Sequence, residues 1–326
     1  MALPVSQTLL PPVYPVQISR FDLSAYREGS NGVDYVHSFD SGRPGPHVMV
    51  NALTHGNELC GMVAVKRLLD AAVRPVHGRL TLSFANVAAY ERAADGHDGV
   101  RFVERDFNRL WHDELLAADQ HSVEARRAHQ MRPLLHSVDT LLDLHSTWHA
   151  VAPFFVLSRL PRVRALADRL ALPARQLFLP DVWHEGYHLI DYGAFRAPLG
   201  HAVGLIAECG QHFAQASCDT AWQVAVRFLQ VCAVISPDMA QALCPGLVAA
   251  DEIERYDIAL PVIAQTDQLR LLCSYAGFVS FAQDEVAAMD GDLPLRAPFD
   301  GAVLLAPRPD PKPGQQAFSW GRPVAP

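Results

Sequence analysis

Between residues 40 and 236 two hydrophobic rhythms take turns along the chain. Short apolar runs bounded by turn residues read as buried strands: HVMVNAL (47–53), GRLTLSFANV (78–87), DTLLDLHST (139–147), PFFVLS (153–158) and HAVGLIAECG (201–210). Between them, apolar residues recur three and four apart, the spacing of one helix face. This predicts helices over 58–73, over 122–138 with Ser122 as cap, over 161–172 with Pro161 at the start, and over 218–235 capped near Ser217 or Asp219. Strands alternating with helices imply an α/β layered domain with a largely parallel sheet. After Pro237 the rhythm changes to short apolar runs broken by Pro and Gly, with a turn signal at Asp300-Gly301. The expected division is therefore an α/β domain over 1–236 and a β-rich domain over 237–326, with PRPDPKPG (307–314) as an exposed loop.

Composition narrows the class. Of 326 residues, 50% are hydrophobic and 19% charged, which is globular and not disordered. The net charge of -8, without a basic block, gives no nucleic-acid footprint. The basic residues are nearly all Arg, with only Lys66 and Lys312 as exceptions, a pattern of genome composition and not of function. The six Cys form no CxxC pair, and several sit in apolar runs where a thiol packs as a small hydrophobe. There is no apolar run of about 18 residues and no secretory pattern in the first residues, so a cytoplasmic protein without a membrane span is expected.

Three fragments carry candidate chemistry. His55 and Glu58 in THGNE follow the first buried strand, and in open α/β sheets sites gather at the carboxyl ends of strands. His145 stands near the end of LLDLHST, and Asp143, two residues earlier, shares its face of an extended chain. There Asp143 can accept the second imidazole N–H and fix the tautomer. Two His and one Glu make a zinc set with an open coordination position. The third fragment, VRFVERDFNRLW, gathers Arg101, Arg105, Asp106, Asn108 and Arg109 among apolar residues, so not every charge can face water. Arg suits a bidentate grip on a carboxylate.

A rival string competes for the metal. His184-Glu185-Gly186-Tyr187-His188 fits HExxH, and Glu208 stands twenty residues further on, where a third ligand would fall. That motif needs a helix to bring both His to one face. Gly186 costs about 1 kcal/mol there relative to Ala. Pro180, Gly193 and the aromatic-rich surroundings suit a loop, and Glu208 ends a strand-like run. The first set is preferred, and a place for His184 and His188 near the pocket is left open.

Taken in order, HGNE, RFVERDFNR, DLHST and IAECGQ followed by a small β-domain resemble the succinylglutamate desuccinylase/aspartoacylase family, a branch of the zinc carboxypeptidase-like hydrolases. The resemblance implies a carboxypeptidase-like three-layer α/β/α domain with a mixed, largely parallel sheet and a C-terminal β-domain that narrows the pocket. It implies one Zn2+ per chain on His55, Glu58 and His145. It gives Arg101 the polarisation of the scissile carbonyl, Asn108 and Arg109 the substrate's carboxylate, and Glu208 the role of general base. Arg196 stands nearest to the family arginine upstream of that Glu, at a different offset, and no Tyr follows Tyr275 where aspartoacylase-like members use one. The expected activity is hydrolysis of a small N-acyl amino acid or similar carboxylate-bearing amide, with homo-oligomerisation left open. A zinc carboxypeptidase and a non-catalytic binding protein on the same scaffold remain alternatives.

Overall fold

The strand-forming segments do form strands in the computed structural model, which describes residues 12–92, 100–180 and 186–324. In chain order these are β1 (Val36–Asp40), β2 (His47–Ala52), β3 (Arg79–Phe84), β4 (Thr140–Thr147), β5 (Phe154–Leu157), β6 (Arg175–Phe178), β7 (Val203–Gln211) and β8 (Glu254–Ile263). The C-terminal residues add β9 (Leu269–Leu271), β10 (Val279–Phe281), β11 (Val286–Asp290), β12 (Leu293–Arg296), β13 (Ala302–Leu305) and β14 (Gln316–Pro323). An eleven-stranded sheet runs β1-β3-β2-β4-β7-β5-β6-β8-β14-β13-β10, and β12-β11-β9 form a second, small sheet. Its core is parallel across β3, β2, β4 and β7, whereas β5 lies antiparallel to β7, which makes the sheet mixed.

The alternation of side chains explains the layers. In β2, Val48, Val50 and Ala52 face one core, and Met49 faces the other. The first core packs helices Leu59–Asp70, Pro161–Leu170 and Gln215–Val231; the second packs Val123–Leu135 and the loops around Trp111 and Leu189. In β4, Leu142 and Leu144 enter the first core, so Asp143 and His145 look to the opposite side. Each buried Leu or Val of this kind contributes roughly 1.5–3 kcal/mol.

Caps read from sequence hold at Ser122, whose Oγ accepts from Ala125 N at 3.2 Å, and Pro161 occupies the first turn of its helix. The helix expected to be capped near Ser217 or Asp219 begins earlier, at Gln215, because Ser217 Oγ instead donates to Gln211 O at 2.6 Å. Pro237 opens a helix, Pro237–Leu243, with Ser236 Oγ accepting from Met239 N at 3.1 Å. Residues 307–314 form a loop as expected, but Pro307 and Pro311 are buried. None of the described helices is long and apolar enough to cross a membrane.

One buried carboxylate organises the loop that carries the Arg-rich fragment. Glu124 Oε1 accepts from Val103 N (2.7 Å) and Asn86 Nδ2 (3.1 Å), and its Oε2 from Glu104 N and Arg105 N (3.1 Å each). Hydrogen bonds to a charged acceptor are the stronger kind, and Glu124 holds three backbone N–H groups of this loop at once. Glu124→Ala is expected to lower unfolding free energy by about 3 kcal/mol. A denaturant midpoint unchanged from wild type would contradict this.

Candidate active site

The chain runs from β2 outward to β3, then returns to β4 on the other side of β2. Such a reversal opens a crevice at the carboxyl ends of the two diverging strands. His55 and Glu58 follow β2 directly, and His145 lies near the end of β4. Gly56 is needed there for closeness: a Cβ on it would meet Ala89 C and Tyr90 N at 2.4 Å. Leu53 takes a positive φ of 57°, a strained bend that turns the chain into the site.

His55, Glu58 and His145 are buried, and one ligand atom from each lies within 4.8 Å of the others. Glu58 spans the two imidazoles, with Oε1 2.7 Å from His55 Nδ1 and Oε2 2.7 Å from His145 Nδ1. The outer nitrogens are also held. His145 Nε2 lies 2.8 Å from Asp143 Oδ2, and His55 Nε2 lies 3.1 Å from Asp106 Oδ1. Asp143 is fixed in turn through Oδ1, which accepts from Asn51 Nδ2 and Thr54 Oγ1, each at 2.8 Å. Burial alone would push the His145 imidazole down, but Asp143 and Glu58 on either side hold it well above its ordinary range. Burial would raise Glu58, yet His55 and His145 hold it well below the usual carboxylate range.

Arg101 enters the same crevice. Its Nε is 3.1 Å from Asp106 Oδ2 and its Nη1 3.5 Å from Glu58 Oε1. Glu208, on β7, is paired in register with His145 on β4. No hydrogen-bond partner for its carboxylate is present among the described residues, and its Oε2 is fully buried. Burial pushes its pKa up to about 8. A half-buried, unpaired carboxyl with raised proton affinity is what acid–base work requires.

These groups line one wall of a cavity of about 350 Å3, within the usual range of about 300–1,000 Å3 for small-molecule sites. Asn108, Arg109, His188 and His212 also line it. Asn108 Oδ1 accepts from Leu189 N at 2.8 Å, and Arg109 Nη1 donates to Asn108 O at 2.9 Å. Another wall is apolar, including Phe154, Val156, Leu177, Leu179, Ile206 and Ile258. Strand β13 and the following loop add Leu305, Pro307 and Arg308, so the region read as an exposed loop contributes to the cavity.

One sequence expectation changes. Arg196, expected near the substrate, is not among the cavity-lining residues; it follows the turn Gly193–Phe195 and places its guanidinium 5.0 Å from the Tyr187 ring, in a separate cleft. Arg105 turns away to Asp119, 2.7 Å distant. Of the HExxH string, His184 and Glu185 lie outside the described residues. Gly186–His188 is not helical: Gly186 has φ 124°, and Tyr187 pairs with Leu110 as an isolated bridge. That strap brings His188 to the cavity, with Nδ1 2.9 Å from Asp191 Oδ2. The sequence assigns Asp106 no role and singles out neither Ser146 nor His212. The proximity of His212 to Glu208 in the chain was the available signal.

Residues 44–180 match the succinylglutamate desuccinylase/aspartoacylase catalytic domain. Among curated proteins, an N-acyl-aromatic-L-amino acid amidohydrolase (carboxylate-forming) of Xenopus tropicalis is 33% identical over 119 residues, which is 34% of this chain and 36% of that protein. Its namesake from Xenopus laevis is 33% identical over 113 residues, 32% and 35% of the two chains. The match thus spans about a third of the relatives' length. Among solved structures, a succinylglutamate desuccinylase from Vibrio parahaemolyticus superposes with a TM-score of 0.65 at 19% identity, covering 90% of this chain and 87% of that one. A product-bound ectoine utilization protein from Ruegeria pomeroyi gives 0.66 at 15% identity, with 88% of each chain covered. At these identities the structures establish a shared fold.

Proposed function

We propose that this protein, whose residues 44–180 match the succinylglutamate desuccinylase/aspartoacylase catalytic domain, is a zinc-dependent amidohydrolase of N-acyl amino acids with an apolar side chain. The observation that carries the reading is the convergence of buried His55, Glu58 and His145 beside the unpaired carboxyl of Glu208. The donor set fits zinc. Two nitrogens and a carboxylate meet at one point, and carboxylates on the outer nitrogens hold the Nδ1 atoms inward, as ligand histidines require. A zinc ion held there supplies Lewis-acid polarisation of the amide carbonyl and a water acidified toward neutrality.

The chain's own groups account for the rest. Glu208 takes a proton from the attacking water and passes it to the departing amine nitrogen, its carboxyl standing unpaired beside the three converging donors. The Arg101 guanidinium donates to the oxygen that gains charge as the amide carbonyl is attacked. Asn108 and Arg109 hold the substrate's carboxylate. The apolar wall receives the amino-acid side chain, in keeping with the aromatic preference in the curated relatives' name. In this reading residues 1–236 carry the machinery, and 237–326 close the cavity through Leu305 and Arg308.

A screen of N-acetyl, N-succinyl and N-formyl amino acids, with dipeptides alongside and zinc added, tests the proposal. Release of free amino acid, fastest with aromatic acyl-amino acids, is expected; faster cleavage of dipeptides would make it a carboxypeptidase instead. Arg109→Ala is expected to raise KM for carboxylate-bearing substrates about tenfold to a hundredfold with a smaller change in kcat. A KM equal to that of wild type would remove Arg109 from substrate binding.

A further inference from the structure

His212 sits just past the end of β7, four residues after Glu208, and is 3% exposed. Its backbone N donates to Thr147 O at 2.8 Å, which pins it beside the end of β4. Its ring lies edge-on to Trp148 at 5.8 Å and to Phe213 at 5.9 Å. It lines the cavity together with Glu208, His145 and Arg101. The chemistry above gives it no work.

Its hydrogen bonding is defined. Nδ1 lies 2.8 Å from Ser146 Oγ, and Ser146 Oγ has no other partner among the described residues. If Nδ1 carried the proton, the buried serine hydroxyl would have nowhere to place its own. If the serine donates to Nδ1, both groups are satisfied. The imidazole proton then sits on Nε2. No partner for Nε2 is present among the described residues, yet it is not one of the fully buried unpaired atoms, so it meets the cavity. Burial pushes the ring's pKa down to about 4, so it is neutral under ordinary conditions and offers a single N–H.

We propose that His212 donates its Nε2–H to the acyl carbonyl oxygen of the substrate as that oxygen gains charge, a second donor beside Arg101, with Ser146 as the residue that positions it. The inference rests on the hydrolase reading. A neutral donor held by its surroundings adds stabilisation where charge develops and needs no reorganisation. It adds little affinity for the ground state, so kcat and not KM registers its loss.

The test compares zinc-loaded wild type with His212→Phe, His212→Asn and Ser146→Ala, after metal content and thermal unfolding establish that each is loaded and folded. His212→Phe is expected to lower kcat on an N-acyl amino acid about ten- to a hundredfold with KM nearly unchanged. His212→Asn, which keeps an N–H, restores part of it. Ser146→Ala lowers kcat several-fold, and Ser146→Thr recovers it. Calorimetry with a phosphonate analogue of the tetrahedral state gives a second reading: His212→Phe should bind it at least about tenfold more weakly, while affinity for the product amino acid stays constant. An active enzyme whose kcat is indifferent to His212→Phe, or whose KM alone rises, overturns this inference and leaves the hydrolase reading standing. A wild type that cleaves no N-acyl amino acid removes both.

Discussion

Replacing His145 with alanine is expected to remove stoichiometric zinc and hydrolysis together, while His188→Ala keeps the metal. His145 is one of three converging donors, whereas His188 Nδ1 is engaged with Asp191 and Gly186–His188 is not helical. Removing a partner that merely orients a ligand histidine costs about 10–100-fold, so losing the ligand itself should exceed that, on the order of 1,000-fold in activity. The protonation of the metal-free site adds a second readout. His145, between Asp143 and Glu58, has its pKa raised well above the ordinary 6.5. Zinc must displace that proton, so uptake near neutral pH should release protons, measurable by calorimetry in buffers of different ionisation enthalpy. The sign for stability follows. A raised imidazole pKa stabilises the metal-free fold fully below the unfolded value of 6.5, and that contribution is lost as pH rises through the folded pKa. His145→Ala should lack this alkaline loss. Zinc content of the His145 variant equal to wild type, with loss only in His188→Ala, would move the metal to the later segment.

How much of this was legible follows from where each signal resides. The strand that leads into His55 and those carrying His145 and Glu208 are continuous apolar runs, because they are buried on both faces of a largely parallel sheet, and that pattern is visible in sequence. The pairing of Asp143 with His145 follows from period two alone. What sequence does not expose is pairing across distant chain segments. Asp106 reaches His55 because Glu124, on a helix, ties down the loop between them through three backbone N–H groups. Ser146 and His212 meet because β4 and β7 are neighbours in the sheet, although β5 and β6 lie between them in the chain. Arg196 illustrates the converse. The family resemblance offered it as the nearest upstream arginine, at a different offset, and the irregular turns from Leu189 to Phe195 have no hydrophobic period from which its direction could be read.

Glu208→Gln should separate catalysis from stability in one protein. The amide has the same shape and cannot exchange a proton, so zinc should remain while kcat falls about 10²–10⁴-fold, the usual contribution of a positioned acid–base group. The metal-free variant should at the same time be more stable than metal-free wild type. Burial raises the carboxyl's pKa from 4.5 to about 8. Between those values the folded state binds more protons than the unfolded state, so wild-type stability falls as pH rises, and above about pH 8 the loss is complete. Glutamine removes this dependence. The difference between variant and wild type should therefore be small near pH 5, grow through neutrality and level off above about pH 8, at a few kcal/mol in order of magnitude. Denaturant titrations of both chelated proteins at several pH values measure it. Equal stabilities at pH 8 would mean that Glu208 is solvated or paired in solution, and a variant with undiminished kcat would take the proton transfer away from this residue. Finding both losses would identify the unpaired carboxyl as a feature kept for chemistry at the expense of the fold, the exchange expected where an active site and stability make opposite demands on one side chain.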